Sequence, residues 1–213
     1  MTTFGIVGYG GYIPRLRLAR RAVVEANAWY APQFAGQAKG TRAYANWDED
    51  SITLAVAAAR DCLGPNDDRS RVASVLLTSS TLPFAERLNA GVVCEALTLR
   101  EDVQASDVTG SQRAALSALI QAVAQVRSGG GDTLVLAADN RKTRPASSQE
   151  LDFGDGAAAL LLGRDKVLAE YLGAGTVTID FVDHFRAAGE DVDYAWEERW
   201  VRDEGIAKLV PRA

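Results

Sequence analysis

Apolar and polar positions change along this chain in blocks the length of single elements. Phe4-Gly-Ile-Val-Gly-Tyr-Gly predicts a short buried strand, and Pro14 with Ile13, Leu16 and Leu18 predicts an extended exit rather than a helix. A helix fits residues 19–28. Residues 29–47 mix Gly, Ala, Gln and aromatics without steady period, which predicts an irregular excursion holding Lys39 and Arg42. From Asp48 the pattern turns helical: Asp48-Glu49-Asp50-Ser51 supplies caps and negative charge, and Ile52, Ala55, Val56, Ala59 and Cys62 follow at helical turns until Gly64-Pro65. A β-branched strand over Val72–Thr78, a helix over 84–99, a strand over 103–108 and a helix over about 111–126 come next. Ser128-Gly-Gly-Gly breaks that helix before another apolar strand from Thr133. Residues 139–149 read as a polar loop, and 156–163 and 167–182 as two neighbouring strands. The charged tail, 192–211, sets Trp196, Trp200, Ile206 and Leu209 at loose helical spacing.

Strand and helix alternate until the last two strands, so the pattern predicts an α/β fold with a mixed five-stranded sheet, antiparallel at one side, and helices on both faces. Length fits one domain at 213 residues, and an apolar share of 47% is enough for a packed interior. The net charge of -5, with no long basic run, excludes nucleic acid as a partner. Cys62 and Cys94 each stand in an apolar helical setting, which fits two thiols in a reducing compartment and makes the cytoplasm the expected location. No stretch is long and apolar enough for a membrane span, and Met-Thr-Thr-Phe-Gly does not open a leader. In Gly8-Tyr-Gly-Gly-Tyr-Ile the third glycine of a dinucleotide fingerprint is replaced by Ile13, and Pro14 follows where a helix should start, so NAD and FAD are rejected. One histidine and two isolated cysteines do not furnish a zinc site, and no metal is expected.

Three segments carry the chemistry: Val75-Leu-Leu-Thr-Ser-Ser-Thr-Leu-Pro, Asp107-Val-Thr-Gly-Ser-Gln-Arg-Ala-Ala-Leu-Ser-Ala-Leu and Phe153-Gly-Asp-Gly-Ala-Ala-Ala-Leu-Leu-Leu. Read together they resemble β-ketoacyl-acyl-carrier-protein synthase III and hydroxymethylglutaryl-CoA synthase of the thiolase superfamily, over the N-terminal half of those enzymes. The third segment is the most specific. Its Gly154 and Gly156 are expected to permit backbone approach and unusual dihedrals beside a site, with Asp155 capping neighbouring amides.

The resemblance implies a buried central helix after Asp107 whose entrance holds a nucleophilic cysteine, activated by the helix N-terminus. Counting places that cysteine on Gln112. Glutamine has no ionisable nucleophile, so the usual acyl-enzyme cannot form there. In loading-type ketosynthases that carry Gln for Cys, the carboxamide occupies the thioester's place and helps stabilise an enolate during decarboxylation. Ser111 is a neighbouring hydroxyl, but Thr109-Gly-Ser-Gln-Arg is not a Gly-x-Ser-x-Gly elbow, and a surface or packing serine is the plainer reading. Cys94, amid Val92, Val93, Ala96 and Leu97, reads as a structural thiol. The resembled synthases draw a catalytic histidine from their C-terminal half. The only histidine here, His184, reads as a surface or capping residue near a strand end. The acidic glutamate of hydroxymethylglutaryl-CoA synthase falls on Ser80 or its neighbour. Lys39, Arg42 and Arg113 are candidates for meeting the phosphates of CoA or of a carrier pantetheine, against the plainer reading of solvated surface charge.

The expectation is therefore an acyltransferase-type subunit acting on CoA or acyl-carrier thioesters, making or breaking carbon-carbon bonds or decarboxylating. CoA or pantetheine is the substrate's carrier and no cofactor is called for. Since the resembled fold stacks two such halves, the C-terminal half is expected as a separate subunit or a missing portion, with dimerisation through the 103–108 strand. The rival expectation is a catalytically silent scaffold resembling a chain-length factor, which supports a partner that carries Cys and His.

Overall fold

The computed structural model describes residues 3–65 and 69–212; Met1 and Thr2, where the absence of a leader was read, lie outside them. The chain opens with β1 (Gly5–Tyr12), β2 (Leu16–Ala19) and α1 (Arg20–Asn27), followed by a 3-10 turn at Pro32–Gln37 and β3 (Thr41–Tyr44). Then come α2 (Ser51–Leu63), β4 (Val72–Thr78), α3 (Asn89–Ala96), β5 (Gln104–Val108), α4 (Ala114–Arg127), β6 (Asp132–Asp139), α5 (Ser148–Asp152), β7 (Gly156–Gly163) and β8 (Ala169–Glu170). A short pair, β9 (His184–Phe185) and β10 (Tyr194–Ala195), precedes helical turns over residues 198–212. Among the described residues no helix is long and apolar enough to cross a membrane.

The main sheet runs β5-β4-β6-β7-β1-β8. The sheet has six strands where five were expected, the sixth being the two-residue β8 at the edge. Strand β4 is parallel to both β5 and β6, whereas β7 is antiparallel to β6 and β1, so the mixed character lies where the strand-helix alternation lapses. Of the strand expected over 167–182, only Ala169–Glu170 forms, and it pairs with β1 rather than lying beside β7. Val72, Val75, Leu76 and Leu77 of β4 are all buried, the mark of a strand covered on both faces.

One face packs α2 and α3 against β4, β6 and β7, with Leu54, Ala55, Leu77, Val93, Leu134 and Leu136 fully buried. Asp50 starts α2 by accepting from the Thr53 N–H (2.8 Å), while the Thr53 hydroxyl accepts from the Asp50 N–H (2.7 Å), a reciprocal cap that satisfies two otherwise orphaned donors. Strand β1 lies so close beneath α2 that a Cβ added to Gly10 would sit 2.3 Å from the Cys62 backbone nitrogen. Gly10 serves this close helix-strand approach, whereas Gly5 lets β8 come against β1, where a Cβ would meet the Ala169 carbonyl. The other face packs α4 through Ala118, Ala122, Val123 and Val126 onto Leu76, Val135 and Leu162.

Two expected helices differ in extent. Helix α3 covers only 89–96 of the expected 84–99, because residues 79–88 form a loop and Asp107 fixes where the helix begins. Its carboxylate accepts from the backbone N–H of Asn89 (2.8 Å) and Ala90 (2.7 Å) and from the Asn89 side chain (2.9 Å). Helix α4 starts at Ala114 rather than near 111, and it is buried on one side only: Leu116 and Ile120 are 62% and 41% exposed. The excursion over 29–47 contains β3, which pairs with β2 from Leu16↔Tyr44 to Ala19↔Thr41.

Candidate active site

Parallel strands β4, β5 and β6 all end at one edge of the sheet, and the loops that leave them carry the candidate residues. In open α/β sheets this carboxyl edge is where ligands bind. Asp139, the last residue of β6, organises the loop after β4. One carboxylate oxygen accepts from the Ser80 N–H (2.7 Å) and from the hydroxyls of Ser80 (3.0 Å), Ser79 (3.0 Å) and Thr81 (3.1 Å). Ser80, the position or neighbour of the position on which the count set the acid of the resembled synthase, is thus a structural donor to Asp139, as are Ser79 and Thr81 beside it.

The loop after β5 turns at Gly110, whose φ of +86° is costly for any residue with a Cβ, and delivers Gln112 to the mouth of α4. Ser111 serves the same turn: its hydroxyl accepts from the Arg113 N–H (3.1 Å) and its carbonyl from the Ala114 N–H (3.0 Å). Gln112 is exposed to solvent, and its carboxamide has one orientation that suits its neighbours. The oxygen then accepts from His184 Nε2 (2.9 Å) and from Arg141 Nη2 (3.0 Å) and Nη1.

The donors are themselves held. Arg141 donates to the Asp193 carboxylate and lies over the Phe153 ring, 5.0 Å from its centroid. Asp193 is only 2% exposed at its side chain, Arg141 12%, and Arg186 Nη1 stands 3.7 Å from the second Asp193 oxygen. Losing one partner of such a buried pair leaves an uncompensated charge and costs about 3–5 kcal/mol. Arg186 also donates to the Ser80 carbonyl, which ties the β4 loop to the segment that follows β9. His184 Nδ1 lies 2.8 Å from the Asp183 carboxylate. The histidine is therefore half-buried against Gln112 and not the surface or capping residue the sequence suggested, because the 184–195 segment folds back onto the carboxyl edge.

Arg141, Asp193 and Arg186 were missed from sequence. The available signal was positional: Arg141 follows the end of an apolar strand, at the edge where such sheets place their sites. Of the proposed phosphate partners, Arg42 donates to the Phe153 carbonyl (3.1 Å) and faces Tyr44, Lys39 is exposed, and Arg113 reaches Thr178 at 3.5 Å. One cavity brings Arg42 and Asp155 together with Arg141, Lys142, Trp47 and Glu49; Lys39 and Arg113 do not line it. Asp155 accepts from the Ala45 N–H (2.7 Å), as a cap should, and burial raises its carboxyl against the opposing pull of that bond and of Arg42. Neither Gly154 nor Gly156 has the unusual dihedrals expected of it: both lie outside the positive-φ region, and close approach occurs only at Gly156, where a Cβ would meet the Tyr12 carbonyl at 3.3 Å. Burial pushes the Cys94 thiol up, away from the thiolate a nucleophile needs.

No family model matches the chain. Known structures supply the comparison. Over the whole chain it superposes on 55% of an HMG-CoA synthase solved in complex with CoA, with a TM-score of 0.87 at 21% identity. A 3-oxoacyl-(acyl-carrier-protein) synthase III matches 99% of the chain over 72% of its own length, with a TM-score of 0.78 at 20% identity. This is the fold of a thiolase-superfamily N-terminal half. The sequence agrees: the hydroxymethylglutaryl-CoA synthase of Methanocaldococcus jannaschii is 30% identical over 194 residues, which are 87% of this chain and 55% of that protein. This thiolase-like half spans about half the length of the curated relatives it matches.

Proposed function

We propose that the chain is one half of an enzyme that processes CoA or acyl-carrier thioesters, with Gln112 receiving the thioester without attacking it. The observation that carries this reading is the position of a carboxamide at the mouth of α4, on the carboxyl edge of the sheet, in a fold whose relatives are synthases of this class. An amide N–H aimed at a carbonyl oxygen stabilises the charge that develops there as an enolate forms, which suits decarboxylation or carbon-carbon chemistry without a covalent acyl-enzyme. Arg42, in the same cavity as Arg141, is the cation best placed of those considered to meet a carrier phosphate.

The working enzyme needs a second half. Leu116 and Ile120 expose the outer side of α4, and β5 has one neighbour in the sheet, which leaves a free edge for a second copy. The bonds on Gln112 also favour a second reading. A side chain whose oxygen joins α4 to β9 and the β6 loop can act as a tie, as in a scaffold that supports a partner carrying Cys and His.

Purification alone and with a thiolase-like C-terminal partner, followed by turnover of malonyl-, acetoacetyl- and acyl-CoA, separates the two. Under the catalytic reading Gln112→Ala lowers turnover at least about a hundredfold while assembly persists. Unchanged turnover with lost assembly decides for the scaffold.

A further inference from the structure

The Gln112 carboxamide can do its proposed work only if its NH2, not its oxygen, is offered to the substrate. We infer that Arg141 and His184 are the positioning residues that enforce this, by holding the amide oxygen between them. The inference rests on the thioester reading of the site and names what that reading lacks, a reason for the amide to face one way.

The argument begins with the groups themselves. A carboxamide has one acceptor oxygen with two lone pairs and one nitrogen with two donor hydrogens. Arg141 is donor-only at all its nitrogens, and its Nη1 and Nη2 both approach the Gln112 oxygen, the second at 3.0 Å. His184 Nε2 arrives at 2.9 Å. Rotating the amide by half a turn would set N–H against N–H at both Arg141 contacts, so Arg141 by itself excludes the wrong orientation electrostatically. His184, whose Nδ1 faces Asp183, reinforces it when the ring carries a proton on Nε2 as well. The NH2 then points away from this cluster.

The holders do not yield easily. Arg141 is fixed by the buried Asp193 carboxylate and by the Phe153 ring, and His184 by the Asp183 carboxylate and its place in β9. A cationic donor on an amide oxygen also draws electron density from the nitrogen, which strengthens the N–H groups as donors. Arg141 therefore sharpens Gln112 for one ligand chemistry, an oxygen acceptor that gains negative charge, as a thioester carbonyl does when it becomes an enolate. Both holders come from this chain, and His184 does so from its C-terminal segment.

The test compares two unreactive CoA thioethers: acetonyl-CoA, which keeps a carbonyl beside the thioether, and S-ethyl-CoA, which has none. The readout is the ratio of their dissociation constants, measured by calorimetry on the full chain assembled with its second half. A general loosening of the fold weakens both ligands and leaves that ratio unchanged. The wild type should prefer acetonyl-CoA about tenfold. Gln112→Glu keeps oxygen acceptors for Arg141 and His184 but has no N–H to give, so its preference should vanish with thermal stability retained. His184→Phe should reduce the preference, and His184→Gln, which returns an N–H near the place of Nε2, should recover part of it. A wild-type preference that survives in both Gln112→Glu and His184→Phe overturns the inference, as does equal binding of the two analogues by the wild type. If neither analogue binds the wild type, the thioester reading itself falls and the positioning role falls with it.

Discussion

The two faces of the sheet are finished to different degrees. On the α2 face, a helix with a reciprocal cap presses so closely on β1 that glycine is required at position 10, and α3 completes the cover. On the α4 face a single stripe of alanines and valines is buried, while Leu116 and Ile120 stand in the open. The first face is a closed interior that the chain completes by itself. The second has the shape of an interior divided through the middle of a helix, and Gln112 lies at that helix's open entrance.

The sharpest way to break this comparison is to disturb the closed face. Gly10→Val would drive a side chain into the backbone of α2 at Cys62 and Ala58, and should cost about 3 kcal/mol, read as a lowered urea midpoint with unchanged slope. A cost below about 1 kcal/mol would mean that α2 and β1 are not in such close contact. Leu116→Glu probes the open face. The isolated chain should keep its stability within about 0.5 kcal/mol, whereas assembly with a second half, followed by sedimentation, should weaken at least about tenfold. Equal assembly by the variant would place the partner elsewhere.

The smallest effect belongs to a hydrogen bond beside the closed face. Glu49 accepts from the Asn46 N–H (2.7 Å) and from the Tyr12 hydroxyl (2.5 Å), and these bonds, in that order, hold its carboxyl below the usual carboxylate range. A carboxyl depressed on folding contributes stability that is present above its unfolded pKa and lost as pH falls through the folded one. Glu49→Gln should therefore lower stability near neutral pH by less than about 1 kcal/mol, since the half-buried carboxylate still meets solvent and is screened by it. That difference should shrink as the pH is taken below about 4, and a difference that grew in acid would reverse the sign argued here.

The sequence disclosed what is local. The acidic and hydroxyl residues before Ile52 announce the start of α2, Gly64-Pro65 its end, and the uninterrupted apolar run of β4 a strand buried on both faces. The extended exit at Leu16 and Leu18 was legible and became β2, but its partner β3 was hidden, because that strand is four residues long and lies across α1 and an irregular turn, so no periodicity builds up. The start of α3 is set by Asp107, which arrives from the following strand, and the loop before it hangs on Asp139 from the strand after that. The same holds at the site. Counting along a motif singled out Gln112, whereas His184 and Arg141 meet it, and Asp193 meets Arg141, through the fold; beyond the place of Arg141 after an apolar strand, nothing in the neighbouring residues announces the meeting.

The buried pair of Arg141 and Asp193 joins a residue just past the end of β6 to one that is made about fifty residues later. Every long strand of the sheet is complete by Gly163, yet Asp193, Arg186 and His184 come later in the chain. A nascent chain that has formed its whole sheet still lacks the counter-charge for Arg141 and one of the two grips on Gln112. Damage confined to the last thirty or so residues would therefore remove the partners of Arg141 and Gln112 while leaving the strands of the sheet in the chain.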